Sequence, residues 1–143
     1  MRSESLFMHD IRSPAGALGL MQVMPRTGRQ TAKELKLRWR GNNTLINPST
    51  NIRIGSYYLA KQLERFGHPA LAAAAYNAGP HRVKQWMPDE SMPLDAWVAS
   101  IPFTETRNYV QRVLSAQVIY EWRYNGAITR LESVAASQIT KKE

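Results

Sequence analysis

The chain has 143 residues, 43% hydrophobic and 21% charged, the balance of a single globular domain with one continuous core. It has no cysteine, which excludes disulfides, a cysteine nucleophile and thiolate metal sites, and no apolar run approaches the ~20 residues of a membrane-spanning helix. With 19 Lys and Arg against 11 Asp and Glu, the net charge of +8 favours an acidic partner (nucleic acid, an anionic membrane surface or another anionic polymer) without choosing among them.

In chain order, Ser3 to Met8 reads as the end of a short helix. Ser13-Pro14-Ala15-Gly16 marks a turn, because proline disfavours helix at the residue before it and glycine relaxes the backbone. The apolar stretch Gly19 to Met24 stops at Pro25, Thr27 is placed to cap a helix running to about Leu37, and Asn42-Asn43-Thr44 reads as loop. Arg26, Arg29, Lys33, Lys36, Arg38 and Arg40 form a loose basic cluster, read as a solvated helix face. Asn47-Pro48 predicts a helix start: an asparagine cap, then proline where its missing N–H costs nothing. Ile52, Tyr58, Leu59, Leu63 and Phe66 follow as its stripe, ended by Gly67.

Pro69 opens a helix over Ala70 to Tyr76, whose small side chains let a neighbour approach closely, and Asn77-Ala78-Gly79-Pro80 ends it. Short helices are expected at Val83 to Trp86 and Leu94 to Ser100. The longest runs from Thr104 to about Tyr124, packing through Val110, Val113, Leu114, Gln117 and Val118 and ending before Gly126. Residues 127–143 read as a peripheral tail, and no segment alternates as a strand would, so the expected class is all-α. His9, His68 and His81 lack metal-ligand spacing, and neither HExxH nor a glycine-rich phosphate loop occurs, so no metal or nucleotide cofactor is expected.

Four segments stand apart from core-building: Glu4-Ser5; Ser13 to Pro25, with its Gly16-Ala17-Leu18-Gly19-Leu20-Met21-Gln22-Val23-Met24-Pro25 run; Ala75-Tyr76-Asn77-Ala78-Gly79-Pro80; and Glu105-Thr106-Arg107-Asn108-Tyr109-Val110. In order and separation they resemble the lysozyme-like lytic transglycosylases, in particular the soluble type with a C-terminal catalytic domain, over Ser3 to about Tyr124. The resemblance implies a goose-type lysozyme-like helical domain over residues 1–126. It also implies peptidoglycan as the partner, without nucleic acid or a membrane span, and a monomer in the periplasm or cell envelope.

The same resemblance makes Glu4 the general acid/base. Glycoside cleavage near neutral pH needs a protonated carboxyl at the leaving oxygen, and shelter among apolar groups raises a glutamate's pKa enough to supply it. Leu6, Phe7, Met21 and Met24 are the candidates for that shelter. Ordinary glycosidases pair two carboxylates, about 5–5.5 Å apart when retaining and ~6.5–9.5 Å when inverting. None of Asp10, Glu34, Asp89, Glu90, Asp95 or Glu105 has a spacing that recommends it as the second. In the family the muramyl 6-hydroxyl attacks intramolecularly instead, so the product carries a 1,6-anhydro end.

By motif position, Ser13 and Gln22 correspond to residues that hydrogen-bond the sugars, and Met24 to one lining the groove. Tyr76 corresponds to the tyrosine that orients the catalytic carboxyl. Asn77 supports the turn and meets substrate; Glu105 corresponds to a groove glutamate and equally suits a helix start, and Tyr109 either lines the groove or packs. Family members lead into the catalytic glutamate through a helix of several turns, whereas three residues precede Glu4 and no signal peptide is visible. The chain is therefore expected to lack that N-terminal helix. A hydrolytic muramidase and an inactive peptidoglycan-binding domain are the alternatives.

Overall fold

A computed structural model describes residues 1–126 and 134–140, so the remainder of the expected tail lies outside the described residues. The chain divides into two compact units, Met1–Lys61 and Gln62–Glu143, with separate hydrophobic clusters in place of the single continuous core expected.

The first unit contains α1 (Arg2–Ser5), α2 (Pro25–Glu34), α3 (Asn43–Ile46) and most of α4 (Pro48–Phe66). Its core is Leu18, Val23, Ala32, Leu45 and Ile54. α2 begins at Pro25 rather than at Thr27, because proline at a first helical turn forfeits no hydrogen bond. It ends at Glu34, short of Leu37, since Lys36 takes a left-handed φ of 55°. Asn42-Asn43-Thr44 is not all loop: α3 begins at Asn43 and buries Thr44 and Leu45. The start of α4 follows expectation, with the Asn47 Oδ1 accepting the Thr50 N–H at 2.9 Å. Its buried face differs, however. Asn51 and Ile54 are fully buried, whereas Leu63 is exposed.

The second unit takes the end of α4, then α5 (Pro69–Ala78), α6 (Pro80–Gln85), β1 (Met92–Pro93), α7 (Leu94–Ser100), α8 (Thr104–Asn125) and β2 (Gln138–Ile139). α5 buries Ala70 through Ala75 and packs on α6 and α8, its methyl side chains admitting both. Trp97 on α7 is fully buried, and its indole N–H donates to the Trp86 carbonyl at 2.9 Å, so the one polar atom of a large apolar side chain is satisfied. On α8 the packing face is Thr106, Tyr109, Val110 and Leu114, one turn earlier than expected, and Gln117 is exposed. Gly126 ends the helix with φ 65°, a conformation glycine adopts without strain.

Part of the expected peripheral tail packs instead. β2 pairs antiparallel with β1, Met92 opposite Ile139, and Ile139 is fully buried in the unit's core. Two-residue strands carry no alternation for a sequence to display, which is why this pairing was invisible there.

Candidate active site

Glu4 sits near the end of α1 and is partly buried. Its neighbour Ser5 is buried and donates its hydroxyl to the Leu20 carbonyl at 2.8 Å, which bolts the end of the helix to the following loop. Leu6 and Phe7 then adopt left-handed φ values of 50° and 65°, and the chain turns there. Leu6 and Phe7 are exposed at this turn, and Met24 is exposed as well, so of the four residues expected to shelter the acid Met21 alone is partly buried.

The loop from Ser13 to Met24 is organised by its own hydrogen bonds. Gly16, at φ 90°, closes a turn by donating its N–H to the Ser13 carbonyl at 2.9 Å, while the Ser13 hydroxyl accepts from the Ala17 N–H at 3.0 Å. Gln22 has φ 48°, and its side-chain nitrogen donates to the carbonyls of Ile11 (3.2 Å) and Gly19 (2.9 Å). Leu18 bridges to both Arg12 and Val23.

Asn51, a residue the sequence did not single out, fixes this loop from α4. It is completely buried. Its Oδ1 accepts the Met21 N–H at 2.8 Å, and its Nδ2 donates to the carbonyls of Leu18 (2.9 Å) and Leu45 (2.8 Å). The loop passes so close that a Cβ on Gly19 would collide with the Leu45 carbonyl and the Asn51 amide, and Gly19 has φ 74° as well. Met21 likewise occupies the space a side chain at Gly55 would need, 2.6 Å from its Sδ.

In the second unit, Tyr76 and Asn77 form the last turn of α5, both partly buried. Asn77 Oδ1 accepts the hydroxyl of buried Thr106 at 2.6 Å, tying the end of α5 to the first turn of α8. Thr106 is the second residue missed by sequence reading; its place between Glu105 and Arg107 was the available signal. Arg107 braces the same turn by donating to the Ala99 carbonyl at 3.2 Å and the Thr104 hydroxyl at 3.3 Å. Glu105 is exposed on that turn, and Tyr109, one turn along, is buried.

Each unit thus gathers part of the expected set: Glu4, Ser13, Gln22 and Met24 in the first, Tyr76, Asn77, Glu105 and Tyr109 in the second. Among the described residues no three His, Asp or Glu side chains gather as metal ligands, and no helix is long and apolar enough to cross a membrane.

Comparison with known proteins follows the same motifs. The Transglycosylase SLT domain family matches residues 1–94, and the Soluble lytic transglycosylase helical domain matches residues 100–127. The chain is 45% identical over 123 residues to the soluble lytic murein transglycosylase of Salmonella typhimurium, covering 83% of this chain and 19% of that protein. The chain thus spans about a fifth of the length of the curated relatives it matches. Among solved structures, an inactive glutamate-to-glutamine mutant of the lytic transglycosylase Slt of Pseudomonas aeruginosa is similar with a TM-score of 0.82 and 45% identity, over 92% of this chain and 22% of that one. A 70-kDa soluble lytic transglycosylase in complex with bulgecin A gives 0.85 and 35%, over 96% and 23%. The first match runs through Glu4-Ser5, the Gly19 to Pro25 loop and Tyr76-Asn77, and on its extent the chain belongs to the Transglycosylase SLT domain family.

Proposed function

We propose that residues 1–126 are the catalytic domain of a peptidoglycan lytic transglycosylase that acts as a monomer in the periplasm or cell envelope. Glu4 is its single general acid/base. Protonated Glu4 gives its proton to the oxygen between N-acetylmuramic acid and N-acetylglucosamine as the bond to the anomeric carbon breaks. The resulting carboxylate takes the proton of the muramyl 6-hydroxyl, whose oxygen bonds to the same carbon. The glutamate is regenerated, no water is consumed, and the muramyl end is 1,6-anhydro. A tethered nucleophile needs no second carboxylate to capture and orient water.

The observation that carries this reading is how Glu4 is held: Ser5 fastens the end of α1 to Leu20, in the loop that Asn51 and Gln22 keep rigid. A general acid must keep its position to be effective, and buried hydrogen bonds beside it supply that. The family relationship supports the same reading, as does the inactive glutamate-to-glutamine mutant of the Pseudomonas relative.

The roles of the other residues follow from the atoms their scaffolding leaves over. Ser13 accepts from Ala17, so its O–H is the group offered to a sugar; the Gln22 nitrogen is committed, so its amide oxygen is offered. Asn77 accepts from Thr106 and offers its amide hydrogens. Exposed Met24 and Glu105 present an apolar and a charged contact, while partly buried Tyr76 and buried Tyr109 are assigned by their motif positions alone. Digesting purified peptidoglycan and weighing the fragments tests the proposal. Anhydro ends are expected, whereas reducing ends would make the protein a hydrolytic muramidase, and binding without fragments an inactive domain.

A further inference from the structure

The basic cluster on α2 plays no part in that chemistry, and it lines a concavity of about 1190 Å³ within the first unit. Arg26, Arg29 and Lys33 stand three and four residues apart on one face of the helix, all exposed. None of the three makes an ion pair or side-chain hydrogen bond with a described residue. The acidic residue in the lining, Glu34, is already neutralised: Lys61 reaches its carboxylate at 2.8 Å, and that hydrogen bond holds the Glu34 pKa below its usual value. Trp39 shares the lining and packs against the helix at Gly28, where a Cβ would come within 3.2 Å of the indole ring. Asn42 adds an amide to the lining.

A concave surface with three uncommitted cations, a neutralised acid, an indole face and an amide matches an extended chain that carries carboxylates, amides and small apolar groups. We propose that this groove is an accessory site for the carboxylate-bearing peptide stems of peptidoglycan, an inference that rests on the substrate class assigned above. The cations hold the stem carboxylates, Asn42 meets the stem backbone, and Trp39 packs on its alkyl side chains. The glycan backbone alone, once stripped of stems, keeps only the lactyl carboxylates and fits the groove less well.

Binding measured in a Glu4→Gln chain, so that strands stay intact, separates this inference from the catalytic one. The probes are uncrosslinked glycan strands with their stems and the same strands after amidase removal of the stems. Replacing Arg26, Arg29 and Lys33 together by glutamine is expected to weaken binding to stem-bearing strands about tenfold, the sum of three exposed charge contacts, and to leave stripped strands unaffected. Raised salt should erase the difference. Lys36→Gln, exposed but outside the groove, should leave both affinities unchanged. Equal losses on both strands, an equal loss from Lys36→Gln, or no loss at all would overturn the proposal. Absence of turnover by the unmutated chain would instead count against the catalytic assignment and leave this test intact.

Discussion

Residues 1–61 add buried amide and hydroxyl groups to a small apolar core, whereas residues 62–126 and 134–140 close over alanine, leucine and tryptophan. In the first unit the Ser13 to Met24 loop lends Leu18 and Val23 to the core, and Asn51, Gln22 and Ser5 hold its carbonyls and amides in place. In the second, α5 and α8 meet through small and branched side chains, and polar contacts such as Thr106 to Asn77 merely fix the final orientation. The difference suits the two tasks. Apolar packing makes a firm scaffold with little directional information, while a buried hydrogen-bonded network fixes atoms to particular positions.

Mutations should expose this contrast. The largest effect is expected from Trp97→Ala, which empties the second unit's core and should cost about 3–5 kcal/mol in urea unfolding. Asn51→Ala removes fewer atoms yet takes the acceptor from the Met21 N–H and the donor from the Leu45 carbonyl, while the Leu18 carbonyl keeps the Val23 N–H; it should cost about 3 kcal/mol, since each buried group that loses its partner costs roughly 1–3 kcal/mol. Peptidoglycan cleavage should fall further in Asn51→Ala than in Trp97→Ala at a temperature where both remain folded. The reverse order would break the assignment of positioning to the first unit. Thr106→Val should lower stability by about 1 kcal/mol, the usual net value of one hydrogen bond, and lower cleavage by releasing Asn77.

The smallest effect concerns His68, whose Nδ1 accepts from the Ala70 N–H at 3.2 Å and so caps α5, leaving Nε2–H to donate to Ser137 at 3.2 Å. Burial lowers its pKa from 6.5. Because the folded protein prefers the neutral ring, the unfolded chain binds the extra proton first. The stability this cap supplies is present above pH 6.5 and is lost as pH falls through the depressed folded value. Melting temperature followed downward from pH 7 should drop more in the native chain than in His68→Asn, which keeps a capping oxygen but does not titrate.

What the sequence displayed and what it hid divide along the same line. Pro48, Gly67, Pro69, Gly79 and Gly126 act through their own backbone preferences, so the bounds of α4, α5, α7 and α8 could be read within a few residues. The motif residues were readable as a resemblance. Asn51 was not, because a polar residue inside a helix looks like a solvated one until its partners, up to 33 residues away, are known. The pairing of Met92 with Ile139 was hidden too, because strands of two residues show no alternation. Leu6 and Phe7 misled in the other direction: two apolar side chains beside Glu4 suggested shelter, and a left-handed turn exposes both.

The central claim is that a single carboxyl on α1 supplies both the proton and the base. Release of anhydro fragments from purified peptidoglycan by the Glu4→Gln variant tests it most directly, with strand binding and melting measured on the same sample. The expected result is a loss of at least about a hundredfold, the ordinary contribution of a general acid/base, with binding and melting unchanged. Fragment release within a few-fold of the native rate would contradict it and move the chemistry to another residue.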